Sequence, residues 1–174
     1  MTPSLILFGV AAIALIGAPA MAAPVGDSDK ISLEQLAAAN DAAWGAKDVA
    51  TMSGQYTADG TVRVSPQAPV IAGKAGVTTF FSEAFARRQG VHRHITNLDH
   101  IELIAPDMAL ADASVRVERQ EPDGSWSLVR TFRNLTVAVR ESGGWKLRAV
   151  RAIPQSYSLS SISGTFSLPG PTSQ

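Results

Sequence analysis

The spacing of apolar side chains changes period partway along the chain. In the first half it is helical. Leu33, Leu36, Ala37, Ala43 and Trp44 form one stripe and predict a helix over 33–45, with Ser32 ahead of Glu34-Gln35 as its cap. Gly45 and Asp48 mark a break. A short second helix over about 48–56 carries Val49, Met52 and Tyr56. Ala58-Asp59-Gly60 is expected to turn the chain into a short strand, Thr61–Ser65, and Pro66 and Pro69 to keep the next stretch irregular. A third helix, about 74–89, points Val77, Phe80, Phe81 and Phe85 at a core. Arg87-Arg88 sits at its C-terminal end, where the helix dipole favours cations.

From Val91 the period is two. Residues 91–104, 108–120, 126–140 and 145–153 read as four long strands. The separators Ala105-Pro106-Asp107, Pro122-Asp123-Gly124 and Ser142-Gly143-Gly144 are short and rich in turn formers, so each implies a hairpin. The expected fold is α+β and cone-shaped: three N-terminal helices packed on a curved antiparallel sheet of four long strands plus one short strand. Val91, Ile95, Ile101 and Leu103 share a parity, as do Ala109, Ala111, Ala113, Val115 and Val117, and this is the expected core face.

Charge distinguishes the ends from this folded part, taken as residues 30–154. The chain has 15 basic and 15 acidic residues, yet 1–26 and 152–174 carry none. Residues 5–20 are an uncharged, mostly apolar run, and Ala20-Met21-Ala22 offers an A-x-A cleavage site before Ala23. Residues 1–22 are therefore expected to be a signal peptide, giving a periplasmic or secreted protein with no stable membrane anchor after cleavage. The alternative is a retained anchor. The segment from 155 to 174 is rich in Ser, Gly, Pro and Thr and is expected to be a flexible tail. Zero net charge argues against a nucleic-acid binder. The absence of cysteine excludes disulfides, thiolate zinc sites and a cysteine nucleophile. Residues 27–60 hold six acids and two bases, whereas 130–151 hold one acid and six bases, so the balance conceals a dipolar domain.

The order of several short motifs resembles the nuclear-transport-factor-2-like superfamily, with its SnoaL-like domains. They are Ala43-Trp44-Gly45-Ala46-Lys47-Asp48, Tyr56-Thr57-Ala58-Asp59-Gly60-Thr61-Val62, Gly73-Lys74-Ala75-Gly76-Val77, Ala105-Pro106-Asp107-Met108-Ala109 and Val139-Arg140-Glu141-Ser142-Gly143-Gly144-Trp145-Lys146-Leu147. The SgcJ/EcaC-type subgroup is the nearest in pattern. The resemblance implies a conical pocket between helices and sheet and a homodimer packed through the sheet. It implies no single chemistry, because this fold hosts enzymes, binders and assembly modules. The positions that ketosteroid isomerases of the superfamily use for a tyrosine, a base aspartate and a second acid align with Asn40, Ser65 and Leu135, which cannot play those parts. The His-Asn-Thr that ends the last strand of many SgcJ-like sequences is Arg151-Ala152-Ile153 here.

Candidate chemistry centres on His92, His94 and His100. In a strand without a bulge all three share one face. His94 lies in Arg93-His94-Ile95-Thr96-Asn97, which is similar to a stretch in some SnoaL-like proteins, and scytalone-dehydratase-like members place a catalytic histidine on this sheet. Asp112 is the odd residue among Ala109-Leu110-Ala111-Asp112-Ala113. The hairpin register puts it opposite His100, with Ser114 and Arg116 on the same face. His94 and Asp112 are the candidate acid/base pair. The competing reading is a polar outer face or a dimer contact, which the parity of the core residues favours. His92 and His94 with Glu102 form a weak metal motif, and no metal is expected. In the resembling fold Trp44, Tyr56, Phe80 and Phe85 would surround a ligand pocket; the competing reading is ordinary core. Arg130, one of a set with Arg133, Arg140, Arg148 and Arg151, could attract an anion. Neither a phosphate loop nor a dinucleotide fingerprint is present, so no cofactor is expected. Three functions follow: binding of a small hydrophobic or anionic molecule, a cofactor-independent isomerase, dehydratase or cyclase, or a structural dimerisation module.

Overall fold

Three helices lie against one face of a six-stranded sheet in a computed structural model that describes residues 25–155. The expected signal peptide lies outside the described residues, as does the tail beyond Gln155. Helix α1 spans Asp27–Ala46, α2 Val49–Gly54 and α3 Gly73–Arg87. The strands are β1 (Tyr56–Arg63), β2 (Ile71–Ala72), β3 (His92–Ala105), β4 (Met108–Gln120), β5 (Trp126–Glu141) and β6 (Gly144–Pro154). Their order across the sheet is β2-β1-β6-β5-β4-β3. The four long strands pair antiparallel in sequence, as the turn-rich separators require, whereas β1 pairs parallel to β6. The α+β class therefore holds, but the sheet is mixed and has six strands rather than five.

Three local expectations are corrected. Helix α1 begins six residues earlier than the apolar stripe. Gly26 is its N-cap, Asp27 and Asp29 complement the dipole in its first turn, and Ser32 sits inside the helix with its hydroxyl donating to the Ser28 carbonyl at 2.8 Å. Ala58-Asp59-Gly60 does not turn the chain. It forms a wide bulge within β1, where residues 57–60 stand against the single Arg148 between the pairs Tyr56–Leu147 and Thr61–Ala149. Arg148 holds the bulge by donating to the Asp59 carbonyl at 2.8 Å and meeting the Asp59 carboxylate at 2.9 Å.

The third correction decides the site. The β3–β4 register shifts between Leu98–Ala113 and His100–Asp112, so Asp99 is an extra residue in β3. Side chains before and after it exchange faces. The alternation on β4 is as expected: Ala109, Ala111, Ala113, Val115 and Val117 are buried. Ile101 and Leu103, after the bulge, pack on the core with them. Before the bulge, the residues opposite Val117, Val115 and Ala113 are His94, Thr96 and Leu98, not Val91 and Ile95. Val91 is 58% exposed. Asp99 is fixed on the outer face by the Ser114 hydroxyl at 2.6 Å and Arg133 at 3.3 Å.

One core cluster joins Met52, Tyr56, Val62, Val77, Phe81 and Phe85 between α2, α3 and β1. A second joins Leu33 to Ala109, Ala138 and Trp145 where α1 crosses the sheet. Between them the core does not close.

Candidate functional site

A cavity of about 780 Å³ opens between the helices and the inner face of the sheet. Trp44 from α1, Tyr56 from β1, Phe80 and Phe85 from α3, and Phe132 from β5 make its walls aromatic. A narrower cavity of about 70 Å³ adjoins it, and Asn40, Tyr56, Asn134 and Val150 line both. The size and the apolar lining with a few polar groups suit a small organic ligand.

His94 is on this wall because of the Asp99 bulge. Its ring centre lies 5.1 Å from that of Trp44 and 5.8 Å from that of Phe132. Its side chain is only 8% exposed, and its Nδ1 lies 2.6 Å from Asp41 Oδ1. The Thr96 backbone N–H donates to Asp41 Oδ2 at 2.7 Å, and the Thr96 hydroxyl donates to Oδ1 at 2.8 Å. Both carboxylate oxygens are therefore committed, and the carboxylate fixes the imidazole. A carboxylate only accepts, so neutral His94 carries its proton on Nδ1 and presents the Nε2 lone pair.

Asp112 is not the partner of His94. It pairs with His100 on β3 and Leu135 on β5, on the face away from the helices. The expectation of three histidines on one face fails for the same reason: His92 and His94 precede the bulge and His100 follows it. Glu102 also follows the bulge, which separates it from the two histidines of the metal motif. Among the described residues no three His, Asp or Glu side chains are grouped to hold a metal.

Trp44, Tyr56, Phe80 and Arg130, the four expected ligand contacts, all line the cavity with His94. Burial pushes the Tyr56 phenol well above its ordinary value of 10.0, opposed by the charge of Arg151, so Tyr56 is a hydrogen-bond donor rather than a base. Asn40 also lines the cavity and donates to Gln55 Oε1 at 2.7 Å. Leu135 points to the other face, and its neighbour Asn134 points in. The Asn134 Oδ1 is buried without a hydrogen-bond partner among the described residues.

Asp41, Asn134 and Arg88 were not among the expected site residues. Asp41 did leave a signal: Asn40-Asp41 falls between Ala37 and Trp44 in the α1 stripe, where a polar pair interrupts an apolar face. Arg88 folds back from the end of α3 onto the end of α1. Its Nη2 donates to the carbonyls of Trp44 at 2.7 Å and Gly45 at 3.2 Å. Its guanidinium carbon lies 4.0 Å from the centre of the Trp44 ring and 4.9 Å from that of Phe85. The Nε and Nη1 atoms are buried without hydrogen-bond partners among the described residues, and desolvation lowers the pKa of the group.

Residues 28–151 match the family described as a SnoaL-like domain. No curated protein matches the chain at a significant level. Solved structures share the fold. Aln2 from a Streptomyces species is 15% identical, with a TM-score of 0.70 over 76% of this chain and 94% of that one. ActVI-ORFA from Streptomyces coelicolor is 18% identical, with a TM-score of 0.66 over 73% and 98% of the two chains. An NTF2-like protein with a cystatin-like fold from Novosphingobium aromaticivorans is 17% identical, with a TM-score of 0.63 over 76% and 86%.

Proposed function

The chain belongs to the SnoaL-like domain family of the nuclear-transport-factor-2-like superfamily, and from the geometry of its cavity we propose that it binds a small ring-containing molecule and moves a proton on it with His94. The observation that carries this reading is the 2.6 Å contact between His94 Nδ1 and Asp41 Oδ1 on the cavity wall. Asp41 orients the imidazole and balances the charge it gains on accepting a proton. Nε2 is the atom that takes a proton from a ring carbon or hydroxyl and returns it elsewhere. Trp44 and Phe132 flank the imidazole and hold the ligand ring beside it. Asn40, Tyr56 and Asn134, at the junction with the narrower cavity, supply hydrogen bonds to a carbonyl or hydroxyl. Isomerisation, dehydration and cyclisation share this proton transfer, and none needs a cofactor.

The test is exchange of the α-protons of 2-tetralone for deuterium in D₂O, followed by NMR. The wild-type protein is expected to accelerate exchange, and His94→Ala to slow it by about 10²-fold or more. Asp112→Asn is expected to exchange like wild type. Equal rates with wild type and His94→Ala would remove the proton-transfer role.

A further inference from the structure

Among the described residues, the cavity is lined by two arginines and no carboxylate. Most arginines elsewhere face a carboxylate; among the described residues Arg63 and Arg151 do not, but neither lines the cavity. Arg93 meets Glu118 at 2.6 Å, Arg119 meets Glu121 at 2.9 Å, Arg140 meets Asp29 at 2.5 Å and Arg148 meets Asp59 at 2.9 Å. Arg88 and Arg130 have no carboxylate within ion-pair distance among the described residues. Asp41, the acid behind His94, is already engaged by His94 and Thr96.

Each cation lies over an aromatic ring that neighbours the imidazole. The Trp44 ring centre is 5.1 Å from that of His94 and carries Arg88 at 4.0 Å. The Phe132 ring centre is 5.8 Å from that of His94 and carries Arg130 at 5.3 Å. Each arginine is thus one aromatic ring away from His94. Their roles differ. Arg88 is fixed by the α1 carbonyls and wedged against Trp44 and Phe85, so it acts through its field. Arg130 is exposed and its guanidinium makes no hydrogen bond among the described residues, so it is free to meet a ligand. The partly desolvated charge of Arg88 lowers the energy of an anion in the cavity, and the exposed Arg130 offers it direct hydrogen bonds.

We propose that the ligand of this cavity is an aromatic carboxylate, with its ring against the aromatic walls beside His94 and its carboxylate on Arg130, in the field of Arg88. The inference rests on the cavity reading above and narrows it to a charge class. Planar guanidinium and carboxylate match in geometry, and a charge-assisted hydrogen bond is stronger than a neutral one. The aromatic walls favour a flat ring over a flexible acyl chain of similar volume.

Isothermal titration of the full chain with 1-naphthoate and its uncharged analogue 1-naphthamide tests this. Arg130→Gln and Arg133→Gln serve as paired variants, since Arg133 lies on the outer face with Asp99. Wild type is expected to prefer naphthoate by about ten-fold or more. Arg130→Gln should lose the preference while still binding naphthamide, and Arg133→Gln should keep it. Equal affinity for the two probes, or a preference that survives Arg130→Gln, overturns the charge class and leaves the cavity reading standing. Binding of neither probe overturns the cavity reading and the inference with it.

Discussion

The chemistry of this domain turns on Asp41, one turn before Trp44 on α1. It accepts three hydrogen bonds, one from the ring of His94 and two from Thr96, with its side chain only 17% exposed. Removing it strands the Thr96 N–H and the His94 Nδ1–H in a poorly hydrated place. Asp41→Ala is therefore expected to cost about 1.5–3 kcal/mol, the range for hydrogen bonds to a charged group. A urea titration with an unchanged m-value would show it. A loss under about 0.5 kcal/mol would mean that water replaces the carboxylate without penalty. Sequence pattern marked His94 as interesting and chose the wrong acid for it. Asp112 is conspicuous because it sits among alanines on one strand. Asp41 lies 53 positions before His94, and only the packing of α1 on β3 joins them.

At the level of elements, two bulges do what regular alternation cannot. The bulge at Asp99 turns His94 and Thr96 inward. The bulge in β1 lets that strand run parallel to β6 across the four residues 57–60. Gly60 makes the second bulge feasible. A Cβ there would lie 3.0 Å from the Leu147 carbonyl oxygen and 3.0 Å from the Tyr56 Cβ, both closer than ordinary contact. Gly60→Ala is expected to destabilise the fold by about 1–3 kcal/mol, as overpacking does. Thermal unfolding of the variant checks this, and an unchanged midpoint would show that β1 shifts freely. Because Tyr56 lines the cavity beside the bulge, the variant should also weaken binding of the naphthalene probes. Helix periodicity placed α3 and its buried Val77, Phe81 and Phe85 well, since a uniform 3.6-residue period carries no hidden shift. A bulge is one residue long, and nothing in a period-two pattern says where it falls.

At the scale of the molecule, the uneven charge along the chain becomes contacts between its two ends. Arg140 on β5 reaches Asp29 on α1, and Arg148 on β6 reaches Asp59 on β1, so the basic last hairpin clasps the acidic start. Such surface pairs orient more than they stabilise. The helices cover one face of the sheet. Leu110, Leu135, Val137 and Ala149 lie on the other, with no described element across them. We propose a homodimer through this face. Val137→Lys is expected to raise the dissociation constant by about ten-fold or more. Analytical ultracentrifugation across a concentration series would show it, and a variant that stays dimeric at the wild-type constant would sink the sheet interface. His100 and Asp112 would then lie at the interface, which is the role that the parity of the core residues favoured for Asp112.

Much of this protein was legible in the order of its residues. The change of period near Val91, the turn-rich separators and the aromatic spacing of α3 determine an α+β domain with its long strands in antiparallel succession. The resemblance to SnoaL-like domains adds Trp44, Tyr56 and Phe80 as pocket residues and the late run of arginines adds Arg130, and these four share one cavity. The periods and separators are local: each depends on side chains a few positions apart, and local sterics and burial decide them. The partner of His94, the face that His94 occupies, the isolation of Arg88 and Arg130 from every described acid, and the parallel pairing of β1 with β6 are not local. They depend on strand register and on how a helix lies across a sheet. A single inserted residue, Asp99, reverses half a strand without altering the composition or pattern around it, and only the tertiary structure decides where that residue is absorbed.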